Sequence, residues 1–267
     1  MTSILHNERE EVQLKQRVIK VVGVKDISKT LRRVMFHGED LEGFKFHLLS
    51  PEAHVKLFFP DMETGELRMP TVPEDGWGAD WEGVNEGRFS PFRDYTIRSF
   101  DANALTVEID FALHHIGVGG PWAIQAKAGQ KLGIFGPRFI KTPPLNAKRY
   151  VFLADETSLP ALARWLEILP EEAIVDAWIE VASAESEISL PPHAGANVHW
   201  LYSKPDETIG SSLIEAVELI SDEFFSSETW VWAATEAHTI AKLKRILVKD
   251  ERLKSAHLDL TSYWKQV

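Results

Sequence analysis

Two short stretches contain residue types that can bind a charged, planar ligand. The first is Arg93-Asp94-Tyr95-Thr96-Ile97-Arg98, where polar and apolar positions alternate as in a half-buried strand. A turn at Asn103-Ala104 separates it from a second strand pattern that runs into Asp110-Phe111-Ala112-Leu113-His114. A hairpin would bring both stretches side by side. Together they supply guanidinium groups for phosphate, a phenol that can pack on a ring, and a hydroxyl with backbone amides for ring heteroatoms. This combination suits a flavin nucleotide.

These stretches resemble the flavin-binding signature of the siderophore-interacting proteins, which are ferric-siderophore reductases related to the ferredoxin-reductase superfamily. The matching residues are Arg93-x-Tyr95-Thr96-x-Arg98 and Asp110-Phe111-x-Leu113-His114. Further matches follow in the family's order and extend over nearly the whole chain. They are Trp122-Ala123, Gly136-Pro137, Asp155-Glu156-Thr157-Ser158-Leu159-Pro160 and Tyr263-Trp264.

The resemblance implies that the cofactor is FAD. It implies that Tyr95 lies against the isoalloxazine, that Thr96 backs its N5 side, and that Arg93 and Arg98 bind the pyrophosphate. The alternative for the two arginines is a solvated strand edge, paired with nearby carboxylates. The predicted FAD-binding residues are Arg93, Tyr95, Thr96, Arg98, Asp110, Phe111, Ala112, Leu113, His114, Gly119, Gly120 and Trp122.

A glycine-rich turn precedes a short helix predicted near Trp122. Gly117, Gly119 and Gly120 permit a tight turn that offers backbone amides to phosphate at a helix N-terminus. The family usually has Gly-Pro-Ala-Ser here, whereas this chain has Val118-Gly119-Gly120-Pro121. Backbone amides would therefore replace the serine hydroxyl. Trp122 is explained equally well as a core residue and as an adenine neighbour.

A second group of predicted binding residues lies in the C-terminal half. Asp155, Thr157 and Ser158 follow a predicted parallel strand, at the end where open α/β sheets bind ligands. An ordinary helix cap is the alternative, and Thr157 or Ser158 is expected to cap in either case. The chain has no Gly-x-Gly-x-x-Gly fingerprint. The resemblance still implies NADH or NADPH as electron donor, with the binding residues Asp155, Thr157, Ser158, Thr235, Glu236, Tyr263 and Trp264.

Ala233-Ala234-Thr235-Glu236 corresponds to the family's Ala-Gly-Glu, with the glycine replaced. The replacement can restrict the approach of a nicotinamide, and Thr235 is expected to cap the last helix. The Tyr263-Trp264-Lys265 ending resembles the branch that uses NADH or NADPH rather than ferredoxin. Lys204 could meet a 2′-phosphate and Glu180 a ribose, so the choice between the two nucleotides stays open.

The resemblance implies a ferric siderophore, or another ferric chelate, as the substrate. Such a chelate is usually a bulky anion, so Lys or Arg is expected near the flavin edge. Lys56 and Arg138 are the predicted residues. Lys242 and Arg245 on the last helix are further candidates, although a solvated helix face is their default interpretation.

Composition limits the remaining functions. The chain has 267 residues, a formal charge of -11 and no cysteine. The charge argues against a general nucleic-acid or membrane binder, and the missing thiols exclude disulfides, iron–sulfur ligation and thiolate metal sites. No metal site is predicted, because the adjacent His114 and His115 would point to opposite faces of a strand. Residues 1–16 lack a signal-peptide pattern, so a cytoplasmic monomer is expected.

The predicted elements fall into two domains. The first domain is predicted to be an antiparallel barrel, because it contains many short strands and one short helix. The predicted strands are 17–26, 31–36, 53–59, 93–98, 105–109 and 131–135. Residues 61–90, with Trp77 and Trp81, are predicted to form a long loop. From residue 149, apolar strands alternate with helices, including 159–169, 210–220 and 235–249, which predicts a parallel α/β sheet. We therefore expect an FAD-binding β-barrel domain over 14–142 and an NAD(P)-binding-type α/β domain over 147–267.

Three functions are compatible with this sequence. The first is an FAD-dependent ferric-siderophore reductase, in which the protein supplies orientation and electrostatics and no side chain acts as acid, base or nucleophile. The second is a general flavin reductase or diaphorase without a siderophore pocket. The third is a siderophore-binding flavoprotein without turnover, which the Ala234-Thr235 replacement would permit.

Overall fold

The computed structural model describes residues 5, 7–74, 79–204, 206, 208–251, 253 and 257–266; Trp77, part of the predicted loop, lies outside these ranges. Arg9–Lys141 form one compact unit, and the chain from Thr142 onward forms the other together with the described residues before Arg9. Among the described helices, none has both the length and the apolar composition needed to cross a membrane.

The first unit is a closed antiparallel barrel of six strands in the order β2-β3-β6-β5-β4-β7, beside a two-stranded sheet of β1 and β8. Its strands are β1 (Glu8–Glu11), β2 (Gln16–Asp26), β3 (Leu31–His37), β4 (His54–Phe58), β5 (Phe92–Asp101), β6 (Thr106–Ala112), β7 (Lys131–Phe135) and β8 (Phe139–Thr142). Its helices are α1 (Trp81–Asn85) and α2 (Gly119–Ile124).

The barrel closes because apolar side chains alternate along each strand and fill its interior. On β2, Ile19 and Val21 are buried while the residues between them are exposed. Phe36, Phe111 and Trp122 are among the largest buried side chains of this interior. Each such ring stabilises the fold by roughly 1.5–3 kcal/mol through burial, so the aromatic cluster is a major part of the core.

The second unit is a parallel five-stranded sheet in the order β11-β10-β9-β12-β13. Its elements are β9 (Arg149–Asp155), α3 (Leu159–Ile168), β10 (Ile174–Val181), β11 (Ala196–Tyr202), α4 (Ser211–Ala216), β12 (Thr229–Glu236), α5 (Ala237–Leu247) and β13 (Leu258–Trp264).

Helices cover both faces of this sheet. Trp165 of α3 packs against Tyr150 and Phe152, with ring centroids 6.1 and 5.3 Å away. Leu153, which alternates with Phe152 on β9, joins Leu213 of α4 and Leu243 of α5 in a separate cluster. The continuous apolar strands of the sequence are explained by this burial on both faces. The predicted fold class, a barrel followed by a parallel α/β sheet, is confirmed.

Several element boundaries differ from the prediction. The last helix starts at Ala237 rather than Thr235, because β12 continues through Thr235, whose partner is Ser262 of β13. Helix α2 starts at Gly119, three residues before Trp122. The sequence patterns also missed β1, β8, β13 and α1. The first two are only four residues long, and so carry little periodicity.

A buried ion pair joins β3 to β6. Arg33 lies directly opposite Asp110 in the antiparallel register, and its Nε and Nη2 donate to the two carboxylate oxygens over 2.6 and 2.8 Å. The Asp110 side chain is only 2% exposed. Removing Arg33 would leave this carboxylate buried and unpaired, which is costly. The pair therefore fixes the strand that leads into the glycine-rich turn.

We expect Asp110→Ala to lower the free energy of opening of β3 and β6 by about 2–3 kcal/mol, because it leaves the partly buried Arg33 without its main partner. Hydrogen exchange of the β3 and β6 peptides in the full chain measures this energy. Asp26→Ala is the matched control, since Asp26 forms an equally short pair with Arg32 but is 62% exposed; it should cost less than about 1 kcal/mol. Equal losses in both variants would contradict the buried-pair interpretation.

Candidate functional site

Tyr95 lies at the centre of the first candidate site. Its ring packs against Phe111 and Phe59, with centroids 4.4 and 6.2 Å away. Burial raises the pKa of the Tyr95 hydroxyl far above its ordinary value, against the opposing effect of Arg93. The phenol is therefore neutral at physiological pH and can serve as a flat packing surface with one hydrogen-bonding end.

Gly119 and Gly120 let α2 approach this surface more closely than any other residue would permit. A β-carbon on Gly119 would lie 1.8 Å from the Tyr95 hydroxyl oxygen. A β-carbon on Gly120 would lie 2.5 Å from the His114 carbonyl oxygen. These glycines are predicted to bind phosphate through their backbone amides, and the structure gives them a packing requirement as well. It also brings together the predicted residues Tyr95, His114, Gly119 and Gly120.

Arg93 lies beside the same turn. Its Nη2 is 3.9 Å from the position of a β-carbon on Gly117, which has a φ of +75°. The guanidinium is exposed, donates to the Phe92 carbonyl over 2.7 Å, and forms no ion pair with a described residue. Its neighbour Asp94 pairs with Lys56 instead. An exposed guanidinium next to a glycine turn fits the pyrophosphate of a dinucleotide.

The other predicted residues of this region occupy different environments. Arg98 is half-buried at a β-bulge, where the pairing of β5 with β6 shifts between Ile97 and Ser99. Thr96 is buried on β5, opposite His54 of β4. Ala112 and Leu113 are half-buried and His114 is exposed, so the strand emerges from the barrel toward the glycine turn.

Three residues predicted to bind the cofactor have side chains that are buried in the fold. The rings of Phe111 and Trp122 are 0% and 1% exposed and face the barrel core, where their centroids lie 5.5 Å apart. The Asp110 carboxylate is occupied by Arg33. Odd-numbered positions of β6 point inward, so Phe111 had to enter the core. This burial favours the core interpretation of Trp122.

The second candidate site is built around Asp155, at the carboxyl end of β9. One carboxylate oxygen accepts from the amide and hydroxyl of Thr157 over 2.9 and 2.6 Å. The other accepts from the Thr235 hydroxyl over 2.7 Å and from the Trp264 indole over 2.8 Å. The structure thus unites four residues predicted from three separate stretches of sequence. It also shows that their polar groups already bind one another.

The predicted helix caps are corrected by these contacts. Ser158 occupies the N-cap position of α3, but its hydroxyl bonds to the Asp155 backbone and not to the helix. Thr157 also bonds to Asp155. Thr235 does not cap α5, because its hydroxyl bonds to Asp155 and the strand continues past it. Ser158 thus holds the predicted N-cap position of α3 without a side-chain cap bond, and the predicted Thr235 cap of α5 is wrong.

Glu236 is the residue that caps α5. Its carboxylate accepts from the amides of His238 and Thr239 over 2.5 and 3.1 Å, and from the amide of Gln266 over 3.4 Å. Burial works to raise the pKa of Glu236, but these amides and the His238 side chain outweigh it and hold the pKa below its ordinary value. The carboxylate is therefore ionised and ties the chain after β13 to the start of α5.

Three other candidates for nucleotide binding, Glu180, Lys204 and Tyr263, lie in different environments. Glu180 is buried, and one of its oxygens accepts from the Gly210 amide over 3.1 Å and the Ser203 hydroxyl over 3.2 Å. It therefore supports the loop between β11 and α4. Lys204 is exposed on that loop. Tyr263 is half-buried, edge-on to the Trp232 ring.

The predicted substrate-binding cations divide into two groups. Lys56 pairs with Asp94 over 2.8 Å, and Arg138 pairs with Glu11 over 3.0 Å. Lys242 and Arg245 are exposed on α5. The Lys56–Asp94 pair joins β4 to β5, the strand that carries Tyr95 and Thr96. No sequence pattern indicates either carboxylate partner.

Comparison with known proteins agrees with this arrangement. The model of the siderophore-interacting FAD-binding domain matches residues 20–140, and that of the siderophore-interacting protein matches residues 147–267. The NADPH-dependent ferric-chelate reductase of Escherichia coli is 30% identical over 96% of both chains. The chain belongs to the siderophore-interacting protein family. Its first unit is accordingly an FAD-binding domain.

Two further relatives cover nearly the same length. Ferric vibriobactin reductase of Vibrio cholerae is 29% identical, over 98% of this chain and 93% of its own. A solved siderophore utilization protein from T. fusca is 36% identical, over 97% of this chain and 96% of its own, with a TM-score of 0.87. These likenesses extend across both units.

We expect Gly119→Ala to displace Tyr95 and to weaken FAD binding at least tenfold, because the added β-carbon overlaps the Tyr95 hydroxyl. The dissociation constant of FAD, measured by fluorescence titration, tests this. Adding Tyr95→Phe, which removes the overlapping oxygen, should restore part of the loss. Gly23→Ala is the control, since its nearest neighbour would be 3.9 Å away. A Gly119→Ala protein with unchanged FAD affinity would refute the packing requirement.

The Glu236 cap should make the start of α5 sensitive to acid. Because the folded-state pKa of Glu236 is lowered, its stabilisation is complete above the ordinary value of 4.5 and is lost as pH falls through the folded-state value. Hydrogen exchange of α5 amides, corrected for intrinsic rates, should show the loss of about 0.5–2 kcal/mol expected for an N-cap. Glu236→Gln should flatten the dependence. An identical acid profile in that variant would assign it to another group.

Proposed function

We propose that this protein is an FAD-dependent ferric-siderophore reductase that takes electrons from NADH or NADPH. The observation that carries the proposal is the cluster of Arg93, Tyr95 and the Gly117–Gly120 turn, inside the residues matched by the FAD-binding model. The two curated relatives described above are named as ferric-chelate and ferric vibriobactin reductases, and their similarity supports the same substrate class here.

FAD, when bound, supplies the conversion between the two-electron hydride of a nicotinamide and the single electrons that Fe(III) accepts. One NAD(P)H provides two electrons, so two ferric chelates are reduced and one proton is released. Oxygen-rich chelators hold Fe(II) much more weakly than Fe(III). The reduced iron therefore dissociates, and iron is a substrate that passes through the site.

The chain's own residues bind and orient. Arg93 would neutralise the cofactor phosphates, because its guanidinium is exposed beside the glycine turn. Tyr95 would present a neutral ring, since burial keeps its hydroxyl protonated. The backbone amides around Gly117 would contribute hydrogen bonds to phosphate. None of these roles needs a general acid, base or nucleophile.

The nucleotide half of the reaction would use the Asp155 cluster. Asp155 holds Thr157, Thr235 and Trp264 together at the carboxyl end of the sheet, where open α/β sheets bind ligands. In this role Asp155 is a positioning residue, because its own oxygens are bonded within the chain. Lys56 and Arg138 are the proposed contacts for the chelate.

A flavoprotein that binds ferric siderophores without turnover is the second candidate. Ala234 is 0% exposed, and the following Thr235 is held by Asp155. These two residues occupy the place where the family has a glycine, so the backbone is less accessible to a nicotinamide. This alternative predicts tight chelate binding without oxidation of NAD(P)H.

Visible spectra of the FAD-loaded protein test both candidates. We expect anaerobic NADH or NADPH to bleach the flavin bands and a ferric siderophore to restore them, with Fe(II) trapped by a ferrous indicator. A flavin that neither nucleotide bleaches, in a protein that still binds the chelate, would favour the second candidate. If free flavin or dyes restore the bleached bands but the ferric siderophore does not, the protein is a general diaphorase. A protein that takes up no FAD would overturn the proposal.

A further inference from the structure

Three cations around strand β4 are paired with carboxylates, whereas Arg93, opposite Leu57 in the register of β4 and β5, is not paired with any described residue. Lys56 Nζ lies 2.8 and 3.0 Å from the two oxygens of Asp94. Arg138 donates twice to one Glu11 oxygen, over 3.0 and 3.1 Å. Lys141 lies 3.4 Å from Glu52, two residues before β4. These three pairs carry no net charge.

The Lys56–Asp94 pair lies next to the residues assigned to the flavin. Lys56 is directly opposite Asp94 in the register of β4 and β5, and the adjacent register position pairs Val55 with Tyr95. A β-carbon on Gly136 would lie 3.9 Å from both the His54 carbonyl oxygen and the Val55 α-carbon. Arg138, two residues further on, is therefore close to the same end of β4.

Asp94 also faces a pocket. A depression of about 410 Å³ is lined by Val84, Phe89, Phe92, Arg93 and Asp94, together with Gly87, Ser90 and Pro91. Lys56 Nζ lies 4.9 Å from the centre of the Phe92 ring. This volume lies within the range of small-molecule sites. The charged side chains of the lining are one cation and one anion, and the cation, Arg93, is the one assigned to the cofactor phosphates.

We propose that Asp94 is a specificity-determining residue that selects ferric chelates of little or no negative charge. This inference rests on the proposed function. Three hydroxamates neutralise Fe(III) and give a neutral complex, whereas three catecholates give a trianion. A trianion would meet the Asp94 carboxylate, while Lys56 and Arg138 are paired with carboxylates and Arg93 is assigned to the cofactor phosphates. The formal charge of -11 adds long-range repulsion. The structure therefore favours tris-hydroxamate over tris-catecholate complexes.

Gallium complexes separate binding from reduction. Ga(III) has the charge and size of Fe(III) but is not reduced under these conditions, so differences in iron potential do not affect the result. Calorimetric titration of the FAD-loaded protein with Ga(III) tris-hydroxamate and Ga(III) tris-catecholate gives the two dissociation constants. We expect the neutral complex to bind at least tenfold more tightly.

Asp94→Asn removes one charge while keeping the side chain's size. It should tighten binding of the trianion about tenfold, the effect of one unit charge on a trianion roughly 8 Å away in water, and change binding of the neutral complex less than twofold. Glu42→Gln, which removes an exposed charge elsewhere on the same unit, should change neither. Lys56→Gln is the second variant, and it should weaken binding of the trianion by a larger factor than binding of the neutral complex. The flavin spectrum checks that each variant is folded.

Two outcomes overturn the inference. One is a wild-type protein that binds the trianion as tightly as the neutral complex. The other is an Asp94→Asn protein whose preference is unchanged. Either would leave the proposed function intact, provided ferric chelates are still reduced. Failure of both gallium complexes to bind, with no reduction of any ferric chelate, would remove the inference and the proposed function together.

Discussion

The approach of α2 to Tyr95 is the constraint on which the first site depends. The Tyr95 hydroxyl occupies the space where any other residue at position 119 would place its β-carbon. Helix α2 can therefore rest on β5 only through bare backbone. The same contact fixes the height of the Tyr95 ring over Phe111 and the distance from Arg93 to the turn. A change of a few tenths of an ångström in the distance between α2 and Tyr95 would therefore alter the geometry of the whole site.

Barrel and site share their supports. The strand that carries Tyr95 pairs with β6, β6 pairs with β3, and the buried Arg33–Asp110 contact joins the last two. Trp122 anchors α2 from inside the barrel. The side chains of Asp110, Phe111 and Trp122, three of the predicted FAD-binding residues, are buried behind the surface of the site. They hold in place the residues that can reach a ligand.

Sequence patterns predicted the order of the elements well, because apolar alternation and apolar runs follow directly from burial. The β5–β6 hairpin and β7 were predicted closely. The errors have a common physical origin. Whether Thr235 begins a helix or continues a strand is decided by its pairing with β13 and by Asp155, and neither partner is close in sequence. Likewise, nothing near Lys56 in the sequence indicates Asp94 as its partner.

Two aspartates of the β5–β6 hairpin, Asp94 and Asp110, respond differently to ionic strength. Asp110 is 2% exposed and its contact with Arg33 is shielded from dissolved ions, whereas Asp94 is 50% exposed and Lys56 29%. At physiological salt the screening length is about 8 Å, so added salt would weaken the field of Asp94 long before it weakens the barrel. Added salt would therefore reduce the discrimination between chelates by charge. The stability of the barrel would change much less.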